Sequence, residues 1–283
     1  MLLNHGDMRR HDTVLRIDTM NGWLITPRAR QLAPLRLFCF PYAGGGASIY
    51  RPWAEQLPAW VELVCVQPPG RESRLRERAH TRLEALLAEL VEVIRGELER
   101  PFAFYGHSMG ALIAFELTRL LARRQLPLPR LVVLGGRHAS HVPDDEPVRH
   151  VLPDAELVES LREMNGIPDV ALQHPEMMEL VLPTLRADLE LCETHPHVPG
   201  PPLPVPLCAY GGTKDRVRQS ALEAWRLHTR ADFTLRMFGG DHFFLRSHRD
   251  EVLRALSGDL LAVTPPGSPG PMPPRARDVP GVG

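Results

Sequence analysis

Short apolar runs alternate along this chain with segments whose apolar residues recur every three or four positions. Unbroken apolar runs are typical of strands buried on both faces, and the longer recurrence is typical of amphipathic helices. The strand-like runs are 35–40, 61–66, 101–106, 131–136, 207–211 and 233–238. Together with the helices between them, they predict an α/β fold with a mostly parallel central sheet and helices on both faces.

This alternation stops between about 138 and 203. Helical patterns lie around Asp154 to Met164 and Pro175 to Cys192, and no strand-like run separates them. The segment leaves the predicted sheet just after the carboxyl end of a strand, which is the edge where α/β sheets bind ligands. We therefore predict a helical insertion that covers the functional site as a lid.

The two ends of the chain differ from its middle. Residues 1–30 are mixed and polar, with a possible short strand at 23–25, and predict a loosely held, partly flexible lead-in to a domain spanning 31–263. Residues 264–283 are rich in proline and glycine and hold few apolar groups. Because such a composition buries too little surface to offset chain entropy, we expect this tail to be disordered.

Composition narrows the function classes. A net charge of -1 over 283 residues, of which 24% are charged, gives no electrostatic reason to bind nucleic acid. Neither a signal peptide nor a membrane span is recognisable, which predicts a cytoplasmic protein. Three of the four cysteines lie in strand-like runs, which favours reduced buried thiols over disulfides or a metal site. Several loop histidines lack zinc-type spacing.

One serine lies where strand and helix patterns meet. The apolar run at 101–106 leads into the sequence GHSMG, residues 106–110, and an apolar-periodic helix follows at once. A strand, a sharp turn and a helix are the setting of a nucleophile elbow, whose strained serine needs small neighbours. The pattern predicts that Ser108 is a catalytic nucleophile.

A serine nucleophile needs a base, and the base needs an acid that holds its tautomer. In α/β-hydrolases the acid and then the histidine follow the serine along the chain. Asp215 and His242 fit, because each is in a glycine-rich loop directly after a predicted strand. Asp241 suits less well, since side chains adjacent in sequence tend to diverge, and His107 is expected to pack under the turn.

An oxyanion hole requires two backbone N–H donors aimed at the developing alkoxide. The amide of Met109 is one candidate, because it directly follows the nucleophile at the start of a helix. The loop after the first long strand has the sequence PYAGGG, residues 41–46, and we assign the second donor to the Ala43 amide. The glycines of that loop also suit a tight turn into the next helix.

Arginines and glutamates interleave in the segment 70–78, beside the predicted ligand edge. The arginines could bind a phosphate or an acidic partner. The glutamates could equally pair with them as salt bridges on a solvated loop, which is a common and weakly informative arrangement. The sequence leaves both interpretations open.

Five motifs together resemble the type II thioesterases that accompany modular polyketide synthases and nonribosomal peptide synthetases. In chain order they are FPYAGGGAS, VQPPGRESR, FYGHSMGALIAFELTR, LRADLELCET and FGGDHFFL. The resemblance covers about 35–262 and implies an α/β-hydrolase fold with a helical lid. It also implies hydrolysis of acyl groups from the phosphopantetheine thiol of carrier proteins, which clears misprimed or stalled units.

The resemblance assigns the same triad and the same oxyanion donors as the chemistry does. It implies that the partners are acyl or peptidyl carrier domains and that the enzyme has no cofactor of its own. We expect a monomer. One loop departs from the family, which often shows two adjacent acidic residues followed by proline. Here Lys214 and Arg216 flank the single carboxylate of Asp215, which alters the charge of the rim.

Two other functions stay open from the sequence. One is a medium-chain fatty acyl thioesterase or a general esterase on the same fold. The other is a carrier-binding scaffold that has lost catalysis. The intact triad argues against this second function. In an enzyme, we expect apolar lid residues to line an acyl chamber, namely Leu157, Leu161, Met164, Met177, Met178, Leu180 and Leu185.

Overall fold

The computed structural model describes residues 16–17, 22–143, 147–164 and 174–264. Most of the predicted lead-in and nearly all of the predicted tail at 264–283 lie outside these residues. Among the described residues, no helix combines the length and the apolar character needed to cross a bilayer. The four cysteines are all described and all free.

The centre of the molecule is an eight-stranded sheet with the order β1-β2-β4-β3-β5-β6-β7-β8. The strands are β1 (Arg16–Ile17), β2 (Leu24–Thr26), β3 (Leu35–Phe40), β4 (Val61–Val66), β5 (Phe102–His107), β6 (Val132–Gly135), β7 (Leu207–Gly212) and β8 (Phe233–Phe238). All neighbours from β4 to β8 run parallel, and only the β1–β2 and β2–β4 pairs are antiparallel. The predicted α/β architecture is confirmed.

Helices cover both faces of this sheet. They are α1 (Trp53–Gln56), α2 (Leu83–Ile94), α3 (Met109–Arg123), α4 (Asp154–Glu163), α5 (Pro175–Glu193), α6 (Gln219–Glu223), α7 (Phe244–Ser247) and α8 (Arg249–Ala262). Alternate residues of each strand serve opposite faces. Phe38 and Phe40 pack with α2 and α3 on one side, whereas Leu37 and Cys39 pack with α1 and α8 on the other. Two apolar cores result, one on each face.

Helix α3 is the central support of the first core. Apolar residues on nearly every side of this helix are buried, among them Leu112, Ile113 and Phe115. A helix that is apolar on most sides must be enclosed, and α3 packs against β3, β5 and β6. The start of α3 therefore has a fixed place at the carboxyl edge of the sheet.

The predicted lid corresponds to α4 and α5, and the described residues between 138 and 203 contain no strand. The two helices have a small core of their own, formed by Leu157, Leu161, Met178, Leu182 and Leu185. This core is separate from the two sheet cores. The lid is thus a subdomain that rests on the sheet edge through a limited set of contacts.

The lead-in is held more firmly than the sequence suggested. Trp23 is 2% exposed, and the guanidinium of Arg74 stacks on its ring at 4.3 Å. Arg30 donates hydrogen bonds to the carbonyls of Leu57 and Val61 at 3.1 and 2.9 Å. Residues 22–30 therefore belong to the domain, because they bury apolar surface and satisfy backbone carbonyls beside β4.

Candidate active site

Ser108 lies between β5 and α3 in a strained conformation, with φ of 53° and ψ of -111°. A non-glycine residue in such a region costs on the order of 1–3 kcal/mol, and it persists only where its surroundings enforce it. The Ser108 N–H donates to the Gly135 carbonyl at 2.7 Å, which ties the turn to β6. The serine is therefore presented at the carboxyl edge of the sheet, as the sequence pattern predicts.

The glycines at 106 and 110 have a steric reason. A Cβ on Gly106 would lie 2.0 Å from the carbonyl oxygen of Gly110, and a Cβ on Gly110 would lie 2.0 Å from that of Phe40. Backbone atoms cannot move aside as a flexible side chain can. The elbow thus depends on two close backbone approaches that no other residue type permits.

Asp215 and His242 come together at the same edge. Asp215 follows β7 and His242 follows β8, and the imidazole Nδ1–H is 3.1 Å from both carboxylate oxygens. The two loops are joined by backbone bonds from Thr213 N–H to the Phe238 carbonyl at 2.8 Å and from Lys214 N–H to Gly240 at 2.9 Å. With Nδ1–H donated to Asp215, Nε2 is the nitrogen left to act as a base.

Two rejected candidates have other contacts. The Asp241 carboxylate accepts the N–H of Phe243 at 2.9 Å, within its own turn. His107 is fully buried beneath the elbow, and its Nε2–H donates to the backbone carbonyl of His242 at 2.8 Å. Burial lowers the pKa of His107 well below its usual value, so the ring is neutral and remains a donor.

The link from His107 to His242 was missed by the sequence reasoning, which gave His107 a packing role only. Alternation along β5 could have indicated that its side chain points into the molecule. No local signal indicates a bond to a carbonyl 135 residues away. His107 thus supports the loop that carries His242.

Ala43 lies in the wall of the cavity that also contains Ser108 and His242. The next two amides of its loop are engaged, since Gly44 N–H donates to Asp188 Oδ2 at 2.7 Å and Gly45 N–H donates to the Tyr42 carbonyl at 2.9 Å. Met109 is the first residue of α3, where backbone N–H groups point outward from the helix. These positions are compatible with the predicted oxyanion donors.

The cavity has a volume of about 370 Å³ and lies between the sheet edge and the lid. Charged side chains contribute to its wall, among them Arg137, Glu163, Glu193 and Lys214. Of the seven lid residues predicted to line it, only Met164 does so. Four of the other predicted residues are buried in the lid core, namely Leu157, Leu161, Met178 and Leu185, and two are exposed, namely Met177 and Leu180.

The arginine-rich segment is neither a solvated loop nor a free cationic surface at its key positions. Arg71 is 5% exposed and makes a bidentate ion pair with Asp188 of α5. Arg74 is 6% exposed and pairs with Glu77 at 2.5 Å. The salt-bridge interpretation is therefore right in kind. The Arg71–Asp188 pair is buried at both partners, whereas Glu77, the partner of Arg74, is half exposed.

Comparison with known proteins identifies relatives along most of the chain. A family model described as the thioesterase domain matches residues 35–260. The gramicidin S biosynthesis protein GrsT of Aneurinibacillus migulanus is 39% identical over 251 residues, which are 88% of this chain and 98% of GrsT.

Solved structures agree with this match. RedJ, a thioesterase from the prodiginine biosynthetic pathway in Streptomyces coelicolor, is 38% identical with a TM-score of 0.77, over 82% of this chain and 92% of RedJ. BorB, the type II thioesterase from the borrelidin biosynthetic cluster, is 34% identical with a TM-score of 0.78, over 84% of this chain and 97% of BorB.

Proposed function

Because this chain belongs to the thioesterase domain family, we propose that it is an editing, type II thioesterase whose substrates are acyl groups on carrier proteins. It is a thioester hydrolase and a serine hydrolase of the α/β-hydrolase fold. GrsT, RedJ and BorB are each named for a biosynthetic pathway or cluster. Carrier domains of a modular polyketide or nonribosomal peptide system are therefore the partners we propose.

One observation carries the proposal. The strained Ser108 shares a cavity with His242, whose Nδ1–H is held by the buried carboxylate of Asp215. A serine presented on an elbow beside an oriented imidazole is the arrangement that acyl transfer requires. The lid above it encloses a space of about 370 Å³, which suits a small acyl group.

The chemistry proceeds in two steps. His242 Nε2 takes the proton of Ser108 Oγ as the oxygen attacks the thioester carbonyl, and the carbon–sulfur bond then breaks to release the carrier thiol. The imidazolium returns its proton to the departing sulfur. Water, deprotonated by the same nitrogen, then attacks the acyl-serine ester, and the imidazolium returns the proton to Ser108 Oγ as the free acid leaves. In both steps the alkoxide is stabilised by the amides of Ala43 and Met109.

The charge of the rim supports a phosphorylated substrate arm. Lys214, Arg216 and Arg218 follow one another at alternate positions in the loop of the acid, and all three lie in the wall of the cavity. A phosphopantetheine arm carries a phosphodiester that must pass this rim before its thioester reaches Ser108. Cations in that position favour such an arm over an uncharged ester.

The test is single-turnover release of a short acyl group from a phosphopantetheinylated carrier protein. The same acyl group is offered as its coenzyme A thioester and as a simple oxygen ester. We expect the carrier-bound thioester to have the highest kcat/KM. A strong preference for the free oxygen ester would contradict the proposal, as would a well-folded protein that a fluorophosphonate probe fails to label.

A further inference from the structure

Two of the five motifs take no part in the acyl transfer described above, and the structure joins them to each other. Arg71 comes from the motif VQPPGRESR and Asp188 from LRADLELCET. Arg71 Nη1 donates to Asp188 Oδ2 at 2.6 Å, and Nη2 donates to Oδ1 at 2.8 Å. Both residues are nearly fully buried, at 5% and 1% exposure. The pair fastens lid helix α5 to the loop that follows β4.

The same pair also holds the loop after β3. Gly44 N–H donates to Asp188 Oδ2 at 2.7 Å, and Arg71 Nη1 donates to the Gly45 carbonyl at 3.2 Å. One carboxylate oxygen of the lid thus accepts both a guanidinium and the backbone amide of the residue next to Ala43. Three segments that are remote in sequence meet at this oxygen.

Peptide geometry carries this contact to the Ala43 donor. A peptide group is planar, with its N–H and C=O pointing in opposite directions. The bond from Gly45 N–H to the Tyr42 carbonyl, at 2.9 Å, fixes the plane that contains the Ala43 N–H. The bond from Gly44 N–H to Asp188 fixes the next plane. If that acceptor were lost, the Gly44 N–H would turn to find another partner, and the Gly45–Tyr42 bond alone would hold the plane that contains the Ala43 N–H.

The lid helix also packs directly on this loop. Gly44 has φ of +76°, and a Cβ placed there would lie 3.1 Å from Leu185 Cδ1 of α5. The loop and the helix therefore fit each other both sterically and through hydrogen bonds. A displacement of α5 would remove the Asp188 acceptor and the apolar contact together.

We propose that Asp188, held in place by Arg71, is a positioning residue for the oxyanion hole. Lid helix α5 supplies the acceptor that orients the loop carrying the Ala43 amide, so the hole is complete only when this helix is seated. The inference rests on the proposed function for the role of the Ala43 amide. It adds that part of the lid belongs to the catalytic machinery.

The test replaces both members of the pair with leucine. Removing one partner leaves a buried charge, whereas exchanging both for apolar residues is often neutral for stability. Asp188→Leu or Arg71→Leu alone should therefore lower the Tm, and the double variant should regain most of it. Its kcat should nevertheless stay about 10- to 100-fold below wild type, with KM changed less than about threefold, because the Gly44 N–H still lacks its acceptor.

A binding measurement and a conservative variant separate positioning from structural support. The activity of every variant is measured on p-nitrophenyl butyrate, so that no carrier protein is needed. The affinity of an alkyl boronic acid, which adds to the serine as a tetrahedral anion, should fall by about the same factor as kcat. Asp188→Asn keeps an oxygen that can accept the Gly44 N–H, and should retain more activity than the double leucine variant.

A matched control is available at the other side of the sheet. Asp259 of α8 is also a buried carboxylate paired with an arginine, Arg236 of β8, and neither lines the cavity. Asp259→Leu with Arg236→Leu should leave kcat and boronate affinity unchanged. Recovery of both Tm and kcat in the Arg71→Leu, Asp188→Leu variant would overturn the inference. A wild-type protein that hydrolyses the ester but does not act on acyl groups bound to carrier proteins would contradict the proposed function. It would not contradict the inference about Asp188.

Discussion

The catalytic edge of the sheet and the lid are positioned by different means. At the edge, backbone bonds fix the groups, as in the bond from Ser108 N–H to the Gly135 carbonyl. In the lid, side chains hold the helices in place, through a core of five buried residues and a few ion pairs. One of these pairs is the buried Arg71–Asp188 contact, and another is the exposed Arg216–Glu163 contact at 3.8 Å.

This difference has a dynamic consequence. Groups fixed by backbone bonds move only when the sheet itself unfolds, whereas a small side-chain core opens at lower cost. We therefore expect the triad to be rigid and the lid to open locally. Helix α5 should be the steadier half of the lid, because its ties to the sheet edge are buried, and α4 the looser half.

The largest expected effect lies at the edge. Ser108→Ala should reduce kcat for acyl release by about 10⁴-fold or more, because no other group takes over as nucleophile. The Tm should change little, since the backbone bonds of the elbow remain. A discontinuous activity assay checks the expected fall in kcat, and thermal unfolding followed by circular dichroism checks the expected Tm. Residual turnover within tenfold of wild type would show that another residue is the nucleophile.

The next largest effect should lie in the lid core. Leu157 is fully buried there, and Leu157→Ala should weaken the lid by about 2–5 kcal/mol, the range for leucine truncation with a residual cavity. Hydrogen exchange should quicken in α4 and α5 and stay unchanged in α3. Equal acceleration in α3 would mean that lid and sheet unfold as one unit, which would break the comparison.

A pH effect should arise near the two ends of the lid insertion. Burial first, and then the neighbouring His141 and His197, lower the pKa of His228 from 6.5 to about 4. His141 Nδ1 is 2.7 Å from His228 Nε2, and Arg119 and Glu116 also act on the ring.

Since the folded state disfavours the charged ring, stability should be undiminished above pH 6.5 and fall as the pH is lowered from 6.5 to about 4. The cost should be about 1–2 kcal/mol, after discounting for the partial exposure of the ring. His228→Asn should flatten the Tm profile in this window. An unchanged slope in that variant would assign the acid sensitivity to other groups.

The smallest effect should come from the exposed pair. Arg216→Gln should change the opening of α4 by less than about 1 kcal/mol, because half-exposed ion pairs are screened and lose side-chain entropy when they form. Glu163→Gln serves as the matched control from the other partner. Hydrogen exchange as fast as that of Leu157→Ala in either variant would show that this pair holds the lid after all.

The same contrast explains what could be predicted from the sequence. The strand at 233–238 was predicted with its observed bounds, and the elbow at 106–110 was recognisable because its constraints are local. The lining of the acyl chamber was predicted wrongly apart from Met164, since helical spacing indicates that Leu157 is buried but not against which partner. Asp188 was missed as a contact of Gly44 because 144 residues separate them, and only the folded chain brings them together.

The short antiparallel strands β1 and β2 have a practical consequence for handling the protein. The match to the family begins at residue 35, yet β2 pairs with β4 through Leu24 and Ile25. A chain cut to begin at that boundary would uncover the outer side of β4, whose six residues are all buried. An uncovered apolar strand is a template for association between molecules. The residues from β1 onward should therefore be kept wherever an unaggregated preparation is wanted.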